Sequence, residues 1–541
     1  MWSLPTFQSD WDRHAGAGLL LLLAGGLAGR WAFEKLGPSK KPATQLRLRP
    51  QGTLPIFYNT LHAMKHGPRW ADWITEQVES FKGQAFWLRI LGTPDMLVLT
   101  TAEQFEDVLK THFDVFEKGP YIIDIFEGLF GAGIFAADGK QWTHQRKTAS
   151  NLFSLRALRE SMTESIQKHA LVLNGVLDRT AALKSSVDVF KLLNRFTMDT
   201  FAEIGFGIEL GTLESTEDHP FQVAFDSAQH ILVLRILRPS WFWKTQRYLN
   251  MGVEKEFRQH LRVIDDTVFT IIARTLENRA ASQSQSQSSQ QHGTRKDIVS
   301  LFLDNVSADA DEDKTQAAEA FDPVFLRDIV LNFLIAGRDT TAQMLSWFFY
   351  SLSQHPHVEQ KIRDELAHKL SNLNQGKGKV ATTPPSMEQT GELVYLEAAL
   401  REAMRLHPAV PRNRRQANRD VTLRDGTFIR KGEAVSISSY VLGRMTHVWG
   451  DDAKEYNPER WIDHQSGKLI QVSPFQFPAF HAGPRMCLGM SLAMVEMKIV
   501  AAMVLSKFHL ELAPGQTITA GLSLTLPIKG ALMMNVLPVV G

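Results

Sequence analysis

The chain has 541 residues, 44% of them apolar, with 59 Lys and Arg against 58 Asp and Glu. The apolar share over that length suits a globular protein with a large core, and the even charge balance argues against nucleic acid as the main partner. A single cysteine, Cys487, excludes an internal disulfide and a multi-thiolate zinc or iron–sulfur centre, leaving a buried apolar thiol, a nucleophile or a lone axial ligand.

At the N-terminus, AGAGLLLLLAGGLAG at 15–29 carries no charge, and Trp31 and Phe33 extend it past Arg30. A spanning helix needs about 20 residues, roughly 17–25, so the stretch is marginal without its aromatic flank. Arg30, Lys35, Lys40, Lys41, Arg47 and Arg49 follow it, which places the bulk of the chain on the cytosolic side. A cleaved signal peptide would carry its basic end before the apolar run, and a helix lying in the interface is a third possibility. The preferred organisation is one uncleaved anchor at 1–34, a Pro-rich basic hinge at 35–55 and one folded domain over 56–541.

Residues 85–100 read as two strands around a Gly92-Thr-Pro-Asp95 turn, with a helix over about Thr101–Thr111. From Lys140 to about Ser353 the pattern is mainly helical. The Ser/Gln run at 282–291 and the stretch Ser371–Pro385 read as surface loops. Short strands are expected at 421–437, with turns at Asp425-Gly426 and Lys431-Gly432. The fold class is therefore mainly α with a small β portion.

The strongest helix is 325–352, yet its centre reads Ala336-Gly-Arg-Asp-Thr-Thr341. Gly costs about 1 kcal/mol inside a helix, and Thr hydroxyls can bond back to the preceding turn. Gly337 could serve close packing against a neighbour. The adjoining acid and alcohol, Asp339 and Thr340, weigh against packing as the whole reason. Further on, Glu402 and Arg405 share a helix face at i,i+3 spacing, and Pro458-Glu-Arg-Trp461 follows in a loop. Last comes Phe480-His-Ala-Gly-Pro-Arg-Met-Cys-Leu-Gly489, ahead of an apolar helix. Helix N-terminal N–H groups favour a thiolate at Cys487, and Gly489 lets the backbone approach a large flat ligand.

That run resembles the haem-binding signature of the cytochrome P-450 monooxygenases, F-x-x-G-x-R-x-C-x-G, at every signature position. The resemblance extends from about Pro50 to the C-terminus and implies the cytochrome P-450 fold. It makes Cys487 the axial thiolate of a noncovalent haem b, with Phe480 shielding the sulfur. Residues 336–341 resemble the family's oxygen-activation motif, A/G-G-x-D/E-T-T/S. There Ala336 and Gly337 leave room for dioxygen, Thr340 bonds to it, and Asp339 feeds protons. Some fatty-acid-hydroxylating members esterify haem through a Glu at the position of Ala336, which Ala cannot do. Trp142 and Arg146 match W-x-x-x-R and imply propionate contacts, joined by Arg485 and by Arg412. Glu402, Arg405 and Arg460 imply a structural triad, with Trp461 where the family has Phe.

A flavin domain is missing from these motifs. The resemblance thus implies a microsomal member of the endoplasmic reticulum membrane, drawing electrons from NADPH through a separate cytochrome P-450 reductase, with cytochrome b5 as a second donor. Stretches 133–154, 336–342 and 449–461, with Phe116-Glu-Lys-Gly119, look like those of eukaryotic fatty-acid and alkane ω-hydroxylases. The expected substrate is lipophilic, a long-chain fatty acid or alkane oxidised at or near its terminal methyl. Pro120–Phe130, the helix before Ala336, and Ala409–Val410 are the expected contacts. A sterol, terpenoid or xenobiotic hydroxylase is the alternative, and a reductase-independent isomerase or dehydratase a more distant one.

Overall fold

The computed structural model describes residues 47–153, 158–286, 322–370 and 383–539, together with Val299. Among the described residues no helix is long and apolar enough to cross a membrane. The anchor expected at 1–34, the first part of the hinge and most of the stretch 371–385 lie outside them.

Labelling only the helices that build the site, the order begins with strands β1 (Phe86–Leu88), β2 (Met96–Val98) and β3 (Phe116–Glu117). Helices α1 (Gly119–Phe126), α2 (Gly139–Ser150) and α3 (Thr163–Ala182) follow, then strand β4 (Ser186–Asp188). A helical stretch comes next: α4 (Val189–Phe206), α5 (Pro220–Leu237), α6 (Gly252–Ser286), α7 (Pro323–Gln354) and α8 (Val394–Leu406). Strands β5 (Asn413–Ala417), β6 (Val421–Thr422), β7 (Phe428–Ile429) and β8 (Ala434–Ile437), helix α9 (Met490–Leu505) and strands β9 (Phe508–Leu512) and β10 (Met533–Pro538) complete the fold. The larger sheet runs β1-β2-β8-β5-β3. Its β2–β8 pair is parallel, with Met96 opposite Ala434, and its other pairs are antiparallel. A second sheet runs β4-β10-β9, and β6 pairs with β7.

The expected helix 325–352 is α7. Asp322 caps it by accepting from Val324 N and Phe325 N, and Pro323 fits its first turn. It ends where His355 precedes Pro356, a residue pair that disfavours helix. Apolar side chains surround it, so it runs through the core and packs on α4, α6, α8 and α9. Its charged residues are buried too, and each is tied down. Arg327 donates to the carbonyls of Gly128 and Leu129 at 2.9 and 3.1 Å and to Asp328 at 2.9 Å. Asp328 accepts from Ala132 N at 2.8 Å, and Asn332 accepts from Phe135 N at 3.2 Å. Gly131 has φ +52°, and a Cβ there would overlap the Asp328 carboxylate. These bonds fix loop 128–135 against α7.

Two expectations change. Residues 47–55 are docked and do not form a hinge: Arg47 pairs with Asp95 at 2.9 Å and Glu433 at 2.7 Å and stacks on Trp87 at 3.9 Å. Arg49 also reaches Asp95, at 3.0 Å. The Pro content suggested a stiff linker, but the ion pairs bind it to the sheet edge. The Ser/Gln run also starts inside α6, which continues to Ser286. The helix expected at 101–111 forms as Ala102–Glu106, capped by Thr101, and continues as a wider turn over Asp107–Thr111.

Glu402 on α8 is fully buried and organises the loops behind the cavity. Arg405 donates to both of its oxygens, at 2.8 and 2.7 Å, and Arg460 Nε donates at 2.9 Å. Arg405 also reaches the carbonyls of Gly443, Ala453 and Glu455. Trp461 is a fourth member, because its indole N–H donates to Glu402 Oε2 at 2.9 Å, which phenylalanine could not do. Trp461→Phe keeps the ring and removes the bond. It should lower unfolding free energy by about 1–3 kcal/mol in urea denaturation. Arg405→Ala strands a buried carboxylate, costs roughly 3–5 kcal/mol and should yield no haem-loaded protein, which the Soret absorbance of purified material checks.

Candidate active site

The expected loop carries Cys487 to the wall of an internal cavity of about 510 Å³. Cys487 N donates to Phe480 O at 2.8 Å, closing the loop around the turn Gly483–Arg485. Gly489 caps α9, so the sulfur sits just ahead of the helix. Its surface is exposed only in the sense that it faces the cavity. It lies deep in the protein, and that desolvation pushes the thiol pKa up; the Gly489 N–H and then Arg146 pull it down. Burial thus works against the stabilisation that the helix end gives a thiolate here. Phe480 and Gly489 line the same wall. The nearest atom to where a Gly489 Cβ would stand belongs to Phe153, 3.9 Å away.

A cluster of cations borders the cavity. Asp138 accepts from the backbone N–H of Lys118 and pairs with Arg485 at 2.6 Å. Arg485 also donates to Ala137 O and lies 4.5 Å from the Trp142 ring centroid. Arg415 is buried, and its Nη2 is 3.2 Å from His481 Nε2. Burial, and then Arg485, bring Arg415 down to about 9. Burial and then Arg415 bring His481 to about 3. Lys118 is pushed well down by burial, Arg415 and Arg485. Arg146 is half-buried on the cavity wall, whereas Lys147 is exposed. Among the described residues no carboxylate forms an ion pair with Lys118, Arg146 or Arg415.

This donor set fits an iron porphyrin. A lone thiol faces the cavity, and an excess of buried cations awaits two propionates. Lys118, Arg415 and His481 were missed in the sequence, since nothing in the local pattern distinguishes Arg415 from Arg412. Strand alternation does. Arg415 turns to Arg485 and His481, while Arg414 stacks on Tyr121, and Arg412, just before β5, feels the charges of Arg414 and Tyr121.

The central stretch of α7 contributes Ala336, Gly337, Thr340 and Thr341 to the cavity wall. Thr340 Oγ1 donates to Ala336 O at 2.8 Å, the expected back-bond. The space beside Gly337 is filled by the Phe201 ring of α4, so close packing, not an open space, is what this glycine provides. Asp339 is buried on the side of α5, accepting from Gln229 at 2.6 Å and lying 3.2 Å from Arg338 Nη1. Arg338 in turn pairs at 3.0 Å with Asp226, which is exposed. Burial drives the Asp339 carboxyl up to about 6 against the pull of Arg338. Glu496 of α9 is a second buried acid on the cavity wall; burial pushes it up to about 8, partly offset by the Thr341 hydroxyl. Its only sequence signal is a charge within an apolar helical run.

The family model described as Cytochrome P450 matches residues 48–533. Cytochrome P450 704C1 of Pinus taeda is 35% identical over 86% of this chain and 88% of its own. Cytochrome P450 86B1 of Arabidopsis thaliana is 33% identical over 91% and 87%, and cytochrome P450 94B1 of the same plant 34% identical over 82% and 83%. With these matches, and with a cavity-facing thiol, a cationic cradle and an acid–alcohol pair on one helix, the chain belongs to the cytochrome P450 family. It is a haem-thiolate monooxygenase.

The Asp339 pKa rises on folding from 3.8 to about 6. Between those values the native state holds the proton more tightly than the unfolded chain. The residue's contribution to stability therefore falls as pH rises through that window and stays unfavourable above it. Asp339→Asn should melt at a higher temperature than the parent at pH 7 and at nearly the same temperature at pH 4, read by circular dichroism. Arg415→Ala should release haem to apomyoglobin about tenfold faster than the parent, and Arg412→Ala at the parental rate.

Proposed function

We propose that the chain is a microsomal monooxygenase that hydroxylates long-chain aliphatic substrates, fatty acids or alkanes, at or near the terminal carbon, using dioxygen and electrons from NADPH passed by a separate reductase. The observation that carries this reading is the cavity itself. Cys487 and Thr340 open into one space whose remaining wall is largely apolar, including Ile122, Phe126, Phe333 and Val410. The three segments expected to touch substrate all contribute to it. Similarity at 133–154, 336–342 and 449–461 to ω-hydroxylases supports the substrate class.

Haem held by Cys487 supplies a redox-active iron whose thiolate ligand favours cleavage of dioxygen. The residues do the rest. Apolar walls exclude water and orient the chain of the substrate. Thr340 presents a hydroxyl to the cavity beside Asp339. Gln229 holds the Asp339 carboxyl, whose pKa near neutrality lets it gain and lose a proton. Arg338 links it to exposed Asp226 and so to solvent. Arg146 reaches the cavity while Lys147 stays exposed, so one helix can serve both haem and an acidic electron donor such as the reductase or cytochrome b5.

The anchor at 1–34 places the enzyme on the endoplasmic reticulum membrane with its catalytic domain in the cytosol. Exposed Leu61, Met64, Trp241 and Phe242 support contact with lipid. Gly67 and Trp70 line the cavity, and Gly67 lies beside Leu237.

Reconstituted with reductase and NADPH and offered fatty acids and alkanes, the protein should form terminally hydroxylated products by mass spectrometry, and Cys487→Ala should form none. Thr340→Ala should keep consuming NADPH while product per NADPH falls several-fold and peroxide rises. Equal peroxide release by mutant and parent would remove Thr340 from the proton path.

A further inference from the structure

Two arginines in the cavity wall have no counter-ion. Arg412 and Arg414 both line the cavity, and no carboxylate pairs with either among the described residues. The Arg414 guanidinium lies 4.3 Å from the centroid of the Tyr121 ring. Its Nη2 is buried and makes no hydrogen bond. The Tyr121 hydroxyl accepts from Arg414 and donates only over a long 3.5 Å to Ile236 O. Burial, and then the charge of Arg414, lower Arg412 to about 10, and a guanidinium keeps its proton at neutral pH. Two like charges side by side in a desolvated wall are unfavourable unless an anion joins them.

The haem propionates are not that anion. They belong with Arg415 and Arg485, beside Lys118 and His481, whose protonated forms those two arginines disfavour. Arg412 and Arg414 act on each other and on Tyr121 instead. Strand alternation accounts for the split, because residues 412 and 414 face opposite to 413 and 415. On the side of Arg412 the neighbours are Tyr121, Ala409 and Val410, in the segments expected to contact substrate.

We propose that Arg412 and Arg414, with the Tyr121 hydroxyl, form the binding site for the carboxylate of an aliphatic acid substrate. Planar guanidinium groups match a carboxylate in shape and charge, and a phenol adds a third donor. The inference rests on the aliphatic-hydroxylase reading and narrows it. An alkane leaves both arginines unpaired, so the enzyme selects acids over hydrocarbons of equal length.

The test is titration of the purified haem-loaded protein with hexadecanoic acid and with methyl hexadecanoate, following the Soret shift. The parent should bind the acid about tenfold or more tightly than the ester. Arg414→Gln and Arg412→Gln should remove that preference, weakening the acid and leaving the ester and the haem content unchanged. Equal affinity of the parent for acid and ester overturns the proposal alone, without any variant. Loss of haem from either variant also overturns it, by assigning the pair to the propionates. A parent that responds to neither ligand overturns both this proposal and the aliphatic reading.

Discussion

A charge inside a protein must meet its opposite, and the interior of this chain is arranged around that requirement. Glu402 neutralises Arg405 and shares its oxygens with Arg460, the Trp461 indole and a backbone N–H from Asn457. The loops from Gly443 to Trp461 hang on that carboxylate through carbonyls that Arg405 and Arg460 collect. A network of this kind adds specificity more than net stability, since each ion loses its hydration. Along the cavity the same requirement is left open. Buried Arg415 borders the cavity with no carboxylate paired to it among the described residues. Satisfied charge behind the cavity holds the frame; unsatisfied charge at its wall selects what enters.

Helix α7 combines both conditions. Its N-terminal half spends Arg327, Asp328 and Asn332 on fixing loop 128–135, so one wall of the cavity is set by hydrogen bonds to backbone. Its centre holds Asp339 where burial disfavours the ionised form. That carboxyl costs stability at neutral pH and gives in return a group able to exchange protons there. Scaffold and reagent thus occupy successive turns of one helix.

Much of this was legible in the sequence. The α7 pattern, the β1–β2 hairpin and the Cys487 loop are local signals, fixed by periodicity, turn residues and a dense motif. Glu402 and Arg405 were legible as a helix-face pair, but the part played by the Trp461 indole was not. Which arginine of the Arg412–Arg415 cluster faces which group depends on the register of β5 against β8, a contact between distant segments. Glu496 passed unnoticed because an acid in an apolar helix has no local signature of what surrounds it. The basic, Pro-rich segment before Ile56 looked like a linker because its partners, Asp95 and Glu433, are far away in the chain.

The packing of Phe201 against Gly337 ties the volumes of two helices together. The ring lies where a side chain on α7 would be, and both residues also border the cavity. The space available to a ligand there is thus a quantity shared between two positions. A smaller residue at 201 would enlarge the cavity next to Ala336 without altering α7. A larger residue at 337 could be accommodated only if 201 shrank with it. Homologous chains that differ at one of these sites should differ at the other in the compensating direction, so the pair works as an adjustable wall whose setting is divided between α4 and α7.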